Sequence, residues 1–148
     1  MEFQSLESMY LYLQKSINLS LADDVFEEVK KVESQEIQDV VINSYDPTVY
    51  NRRTIDGIDD PNNISHNDVV NGLLEVSNDT QPNSDYNGNT DIDLIETIVT
   101  GIGYQYPRNN PYNTPRDFVS ATVDVLLSTG GHVLAMKNGL QKRGFQVL

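Results

Sequence analysis

Ser20–Asn43, SLADDVFEEVKKVESQEIQDVVIN, is the stretch whose reading decides the fold. Ala22, Val25, Phe26, Val29, Val32, Ile37, Val40 and Val41 recur at steps of three and four, and Asp24, Glu27, Glu28, Lys30, Lys31 and Asp39 sit mostly opposite. That spacing predicts one amphipathic helix with a single buried stripe. At about 1.5 Å per residue it spans about 36 Å. This is long for a chain of 148 residues, so the helix is expected to be the spine on which the rest packs. Ser20 with Asp23 resembles a capping box at its start. Pairs such as Glu27–Lys31 add about 0.3 kcal/mol each.

The helix leads into Tyr45-Asp46-Pro47-Thr48-Val49-Tyr50-Asn51-Arg52-Arg53. Pro47 ends helical possibility and pushes Asp46 to an extended conformation. Arg52 and Arg53 are phosphate ligands by type. Asp46, Asp56, Asp59 and Asp60 surround them, so pairing within the chain is the better reading, with the tyrosines packed over the helix exit.

Upstream, Ser5–Ile17 is a short helix with Leu6, Met9, Tyr10, Leu13 and Ile17 on one face, interrupted at Asn18 and Ser20. Downstream, 54–63 is a polar turn region. Ile64–Asn78 is a β-hairpin about Asn71-Gly72, a type I′ signal. A two-residue loop pairs Val70 with Leu73 and Val69 with Leu74, and turns Val69, Leu74 and Val76 to the core. It also sets Asp68 opposite Glu75, which is unfavourable; that face is wet or the register differs. Asp79–Thr90 is a long polar loop, of the kind that is functional or mobile. Asp91–Thr100 is a short helix burying Leu94, Ile95, Ile98 and Val99 and stopped by Gly101, although its β-branched content also suits a strand. Ile102–Asn113 is an extended surface segment bearing Tyr104, Tyr106 and Tyr112.

Thr114-Pro115-Arg116-Asp117 is a helix start, with Thr at the N-cap and Pro after it. Phe118, Val119, Val123, Leu126 and Leu127 form its buried face. Gly130-Gly131 breaks it. His132–Arg143 is the next helix, with Val133, Met136 and Leu140 on one side and Lys142 and Arg143 suiting the dipole of its last turn. Phe145–Leu148 can add a strand. The expected fold is α+β and a single domain over residues 1–148: a long N-terminal helix packed on a small antiparallel β-hairpin sheet, with C-terminal helices.

Ten basic and 22 acidic residues give a net charge of −12, which argues against a protein that grips duplex DNA. After Asp124 there are no acids, while Lys137, Lys142 and Arg143 contribute three positive charges. Zero cysteines remove disulfides and thiolate metal sites. The amino terminus has no basic region followed by an apolar run, so no secretory signal is expected, and no apolar stretch approaches the roughly 18 residues of a membrane span. His66 and His132 stand far apart without ligand-spaced partners and read as surface histidines. Asn83–Asp91 alternates oxygen side chains like a calcium loop, but Leu94 stands where a bidentate Glu is needed. No catalytic fingerprint is present, and no enzyme, cofactor or metal is expected. Tyr and Arg are favoured interface anchors. The candidate interface residues are therefore Tyr45, Tyr50, Arg52, Arg53, Tyr86, Tyr104, Tyr106 and Tyr112, with Lys137, Lys142 and Arg143.

The order of features resembles a known family. An N-terminal helix pair is followed by Y-x-P-x-x-Y-x-R-R, then by Ile58-Asp59-Asp60-Pro61-Asn62-Asn63-Ile64, an Asn-Gly hairpin and a short helix ending in Gly. Last come Pro115-Arg116-Asp117-Phe118, the run Gly131–Leu140 (GHVLAMKNGL) and Arg143-Gly144-Phe145-Gln146-Val147. Nearly the whole chain is similar to the tail-completion or head–tail joining (neck) proteins of tailed bacteriophages infecting low-GC Gram-positive bacteria. Asp117 departs from a frequent Pro-Arg-Pro-Phe, in a family that is not enzymatic. The resemblance implies a structural virion protein, assembled in the host cytoplasm into a six-fold or twelve-fold homo-oligomeric ring. Its expected partners are connector or stopper proteins and the tail tube or terminator, with DNA only passing through the lumen and no membrane contact. A tail terminator, a head-closure stopper, or an acidic binding or regulatory module are the alternatives.

Overall fold

The structure, a computed structural model, describes residues 3–44, 53, 55–82, 93–103 and 113–147. Ser5 opens the first helix. Its hydroxyl accepts the Ser8 amide and the Ser8 hydroxyl accepts the Ser5 amide, at 3.1 Å each, a capping box built from two serines. α1 (Leu6–Leu19) then runs on without interruption, because Leu19, Ser20, Val25, Phe26, Glu36 and Ile37 all keep right-handed helical dihedrals. The backbone is helical from Leu6 to Ile42. Two wide π turns, Ser20–Val25 and Ile37–Ile42, flank α2 (Phe26–Glu36).

The break expected at Asn18 and Ser20 does not occur, and Ser20 caps nothing. Its hydroxyl donates to the Ser16 carbonyl at 2.8 Å, which satisfies it inside the helix. The first π turn explains the misleading pattern. The buried positions Ser16, Ser20 and Val25 include a step of five residues, a rotation of about 140° in an α-helix. A π turn, bonding here from the Phe26 amide back to the Leu21 carbonyl, brings that step onto one face. On the outer surface the ion pair is Lys31–Glu28 at 3.5 Å rather than the expected Glu27–Lys31.

The spine's inner face supplies Phe26, Ile37 and Val41 to the core. There they meet Ile58, Ile64, Ile98 and Phe118, with Leu74, Val76 and Leu94 packed around them. The hairpin and the helix after Pro115 therefore lie on the spine as the apolar pattern predicts.

The hairpin pairs β1 (Ile64–His66) with β2 (Val76–Asn78) in the register Ile64↔Asn78, Ser65↔Ser77, His66↔Val76. Its turn is the expected one: Asn71 and Gly72 have φ of 55° and 76°, and Val70 bridges Leu73. The two ends are out of step by one residue. The Asn67 amide donates to the Glu75 carbonyl at 3.1 Å, so Asp68 and Val69 on one arm oppose Leu74 alone on the other. This extra residue, a bulge, resolves the Asp68–Glu75 conflict: the two acids are no longer opposite, and the Glu75 amide donates to Asn67 Oδ1 at 2.9 Å.

α3 (Leu94–Thr100) is helical, as preferred from sequence. Asp93 caps it by accepting the Glu96 amide at 2.9 Å. Gly101 (φ 70°) ends it, and a Cβ there would lie 2.7 Å from the Asn113 carbonyl oxygen, so only glycine lets the chain cross.

α4 (Phe118–Thr129) and α5 (Gly131–Lys142) follow. The N-cap of α4 is Asp117, not Thr114: Asp117 Oδ1 accepts the Ser120 amide at 2.9 Å. The cause is that the Arg116 amide donates to the Ile98 carbonyl at 3.0 Å, which holds that residue against α3. The buried face is rotated accordingly. Phe118 and Thr122 are buried, while the expected core residues Val119, Val123 and Leu127 are 47%, 48% and 69% exposed.

The α4–α5 pair bends by 63° at its break and runs antiparallel along the spine from Val41 to Tyr12. Phe118 starts beside Ile37 and Val41. Gly131 lies at Glu28, and Gly139 at Ser20 and Asp24. Phe145 ends on Tyr12, their rings 5.6 Å apart. Phe145 and its neighbours to Val147 form no strand. They turn onto α1 instead, where the Tyr12 hydroxyl donates to the Arg143 carbonyl at 3.0 Å. Among the described residues no single helix is long and apolar enough to cross a membrane.

Candidate functional site

Seven of the candidate interface residues, Tyr45, Tyr50, Arg52, Tyr86, Tyr104, Tyr106 and Tyr112, lie outside the described residues, as does the calcium-like segment except for its following Leu94. Arg53 is described. Its Nη2 donates to the Gln81 carbonyl, three residues beyond β2, at 2.6 Å, and among the described residues it makes no ion pair with an acid.

The C-terminal cations divide into two kinds. Arg143 is mostly buried and forks: Nη1 donates to Asp24 at 2.7 Å and Nη2 to Asp23 at 2.6 Å. Nη1 also donates to the Gly139 carbonyl at 2.9 Å. Lys142 meets the other oxygen of Asp24. Burial pushes the Asp24 carboxyl up, but the hydrogen bonds and charges of Lys142 and Arg143 outweigh it and hold it below the usual carboxylate range. These two cations bind the first π turn. Lys137 makes no ion pair among the described residues.

The histidines are less exposed than expected. His66 stands edge-on to Phe26 with ring centroids 4.4 Å apart, and its Nδ1 lies 2.6 Å from the Asn67 carbonyl. That oxygen can only accept, so Nδ1 carries the proton. His132 is half-buried between α5 and the first π turn, where it lines an apolar cavity of 360 Å³ with Leu21, Val25, Met136 and Leu140. Glu33 is buried on α2 beside Asn78. Burial raises its carboxyl above the ordinary range, against a smaller opposing effect from the Asn78 hydrogen bond. No group of three metal-type ligands gathers among the described residues.

The prominent feature of the surface is apolar. Nine apolar side chains are buried among the described residues, but fifteen large ones are exposed. They concentrate in two places. On α1, Leu6, Met9 and Tyr10 of the sequence-defined stripe are exposed, with Leu11 and Leu19. On α4 and α5, Leu127, Val133 and Leu134 flank the elbow, and Val123 and Val119 lie two and three turns before it along α4. The hairpin tip reaches α1, where the Gly72 amide donates to Asn18 Oδ1 at 3.0 Å. A groove of 430 Å³ remains there between Leu11, Lys15, Leu19, His66 and Val69. The sequence showed the α1 stripe; it did not show that nothing in the described chain covers its outer end.

No curated protein matches this chain, and no solved structure matches it. A family model does: YomN, over residues 4–142. That match spans every helix and strand described above, so the chain belongs to the YomN family, whose name is that of a phage-derived protein, and is thereby a phage-associated protein.

Proposed function

We propose that this chain is a structural protein of the phage neck, closing into a ring that joins the head-connector complex to the tail around the DNA channel. Its phage-associated family supports the setting, and the order of motifs described above supports the neck. The observation that supports assembly most directly is the apolar side chains that stand exposed on α1 and on α4–α5 among the described residues. Large exposed apolar patches mark interaction surfaces. Two different patches on one chain suit a head-to-tail contact, which generates a ring when its rotation closes. The net charge of −12 suits a lumen through which DNA slides without sticking.

A tail terminator or head-closure stopper would have the same physics at another level of the particle. The deciding experiment is cryo-electron microscopy of the phage particle, with this chain located by a fused density label. A ring of this chain between connector and tail tube is expected. Label at another level of the particle, or its absence from the particle, overturns the neck reading. A free monomer that binds a basic protein would favour an acidic binding module instead.

A further inference from the structure

We propose that the face of α1 exposed among the described residues, in one copy, docks on the α4–α5 elbow of the next copy, with Glu7 of the first facing Lys137 of the second. The proposal rests on the ring reading and names its contact.

Charge identifies the occupant. Nineteen of the 22 acids lie in residues 23–117. Residues 3–22 hold one acid and one base, Glu7 and Lys15, and residues 118–147 hold one acid, Asp124, and three bases. Of those three bases, Lys142 and Arg143 are paired with Asp24 and Asp23 and Glu28 lies beside Gly131, so Lys137 carries the elbow's available positive charge among the described residues. Two copies at −12 repel each other and approach at least cost through these charge-poor segments. The same segments hold eleven of the fifteen exposed large apolar side chains. Charge depletion with apolar enrichment is what the centre of an interface needs.

The rims are complementary. Glu7 follows Leu6 and precedes Tyr10 and Leu11 by one helical turn, and Lys137 follows Val133 and Leu134 by one turn. Neither makes an ion pair among the described residues. Leu6, Met9 and Tyr10 share one face of α1, and Leu127, Val133 and Leu134 flank the elbow, on the order of 300 Å² each, the centre of a patch that a stable interface extends to roughly 800 Å² per partner. Pairing like faces would cover one patch and leave the other bare, whereas pairing unlike faces covers both.

The chain has zero cysteines, so thiol cross-linking has no background. Met9→Cys and Leu134→Cys are prepared separately, checked for unchanged thermal melting, mixed, and treated with a short bis-maleimide. Cross-linked dimer is expected in the mixture, little in either variant alone, and a ladder of multimers in the double variant. Dimers within a single-variant sample would mean like faces meet, which overturns the proposal. Multimers in light scattering without cross-linking would also overturn it, while leaving the ring reading to the particle images. A monomer at every concentration overturns self-docking outright, and a ring still seen in the particle would then be held by other proteins. Glu7→Lys and Lys137→Glu should each weaken association about three-fold, and the double charge swap should restore it; no restoration counts against the Glu7–Lys137 rim.

Discussion

Gly139 on α5 lies directly against Ser20 in the first π turn: a methyl group at 139 would sit 2.9 Å from the Ser20 Cβ and 2.6 Å from Asp24 Oδ2. Ser16 and Ser20, both buried, keep that stretch of the spine narrow, and α5 fills the space. In an open helix, Gly→Ala stabilises by about 1 kcal/mol. Here the sign should reverse, because the Ser20 Cβ is fixed to the spine's backbone and cannot swing away. Gly139→Ala is expected to destabilise by about 1–3 kcal/mol, the cost of overpacking, measured by urea denaturation. With Ser20→Gly added, the loss should be smaller than the sum of the single losses, as coupled neighbours require.

Arg143 holds the same contact from its other end, through Asp23, Asp24 and the Gly139 carbonyl. Arg143→Ala leaves the mostly buried Asp24 carboxylate with Lys142 alone and should cost roughly 3 kcal/mol, the low end for breaking a buried pair. The pH dependence follows from the depressed Asp24 carboxyl. A group whose folded pKa lies below its unfolded value contributes stability above the unfolded value, 3.8, and loses it as pH falls through the folded one. The gap between wild type and Arg143→Ala should therefore be full near neutrality and shrink on acidification below about pH 4, followed by thermal melts across a pH series.

The spine, the hairpin turn and the α3 stop were legible because each rests on local chemistry: a 3–4 periodicity, an Asn-Gly pair, a glycine after a helix. Several errors arise where tertiary contact decides. Ser20 has the character of a cap, but α5 packs on a π turn there and the hydroxyl turns back to Ser16. Thr114-Pro115 has the composition of a helix start, but the Ile98 carbonyl binds the Arg116 amide and moves the cap to Asp117. Val119, Val123 and Leu127 repeat at helical spacing as core residues do, and periodicity cannot distinguish a core from an uncovered face. Lys142 and Arg143 looked like free cations because their partners, Asp23 and Asp24, lie about 120 residues away in sequence. The one sequence-level clue to the bulge was the unfavourable facing of Asp68 and Glu75.

Asn67 pins that bulge. Its amide donates to the Glu75 carbonyl and its Oδ1 accepts the Glu75 amide, so one residue supplies both partners where the ladder shifts. Asn67→Ala removes the side-chain acceptor and should cost about 1 kcal/mol. Hydrogen exchange at the Glu75 amide should accelerate more than at the Ser77 amide, which lies within the paired strands. Equal acceleration at both sites would mean that the hairpin opens as one unit and that Asn67 has no local role.

Glu33 gives the opposite pH behaviour to Asp24. It is buried on the face of α2 beside Asn78, and burial raises its carboxyl above the ordinary value. A folded pKa above the unfolded one means that the folded state holds the proton more tightly. Its contribution is then full below the unfolded pKa and is lost as pH rises through the folded one. Glu33→Gln keeps the shape and an acceptor for Asn78 while removing the buried charge. The variant should melt higher than wild type at neutral pH, and the difference should vanish below pH 4.5, the ordinary value for this group. Melting curves at neutral pH and at pH 4 are sufficient: a variant equal to or weaker than wild type at neutrality would show that the carboxylate is stabilised where it lies, and that the spine tolerates a charge at its inner face.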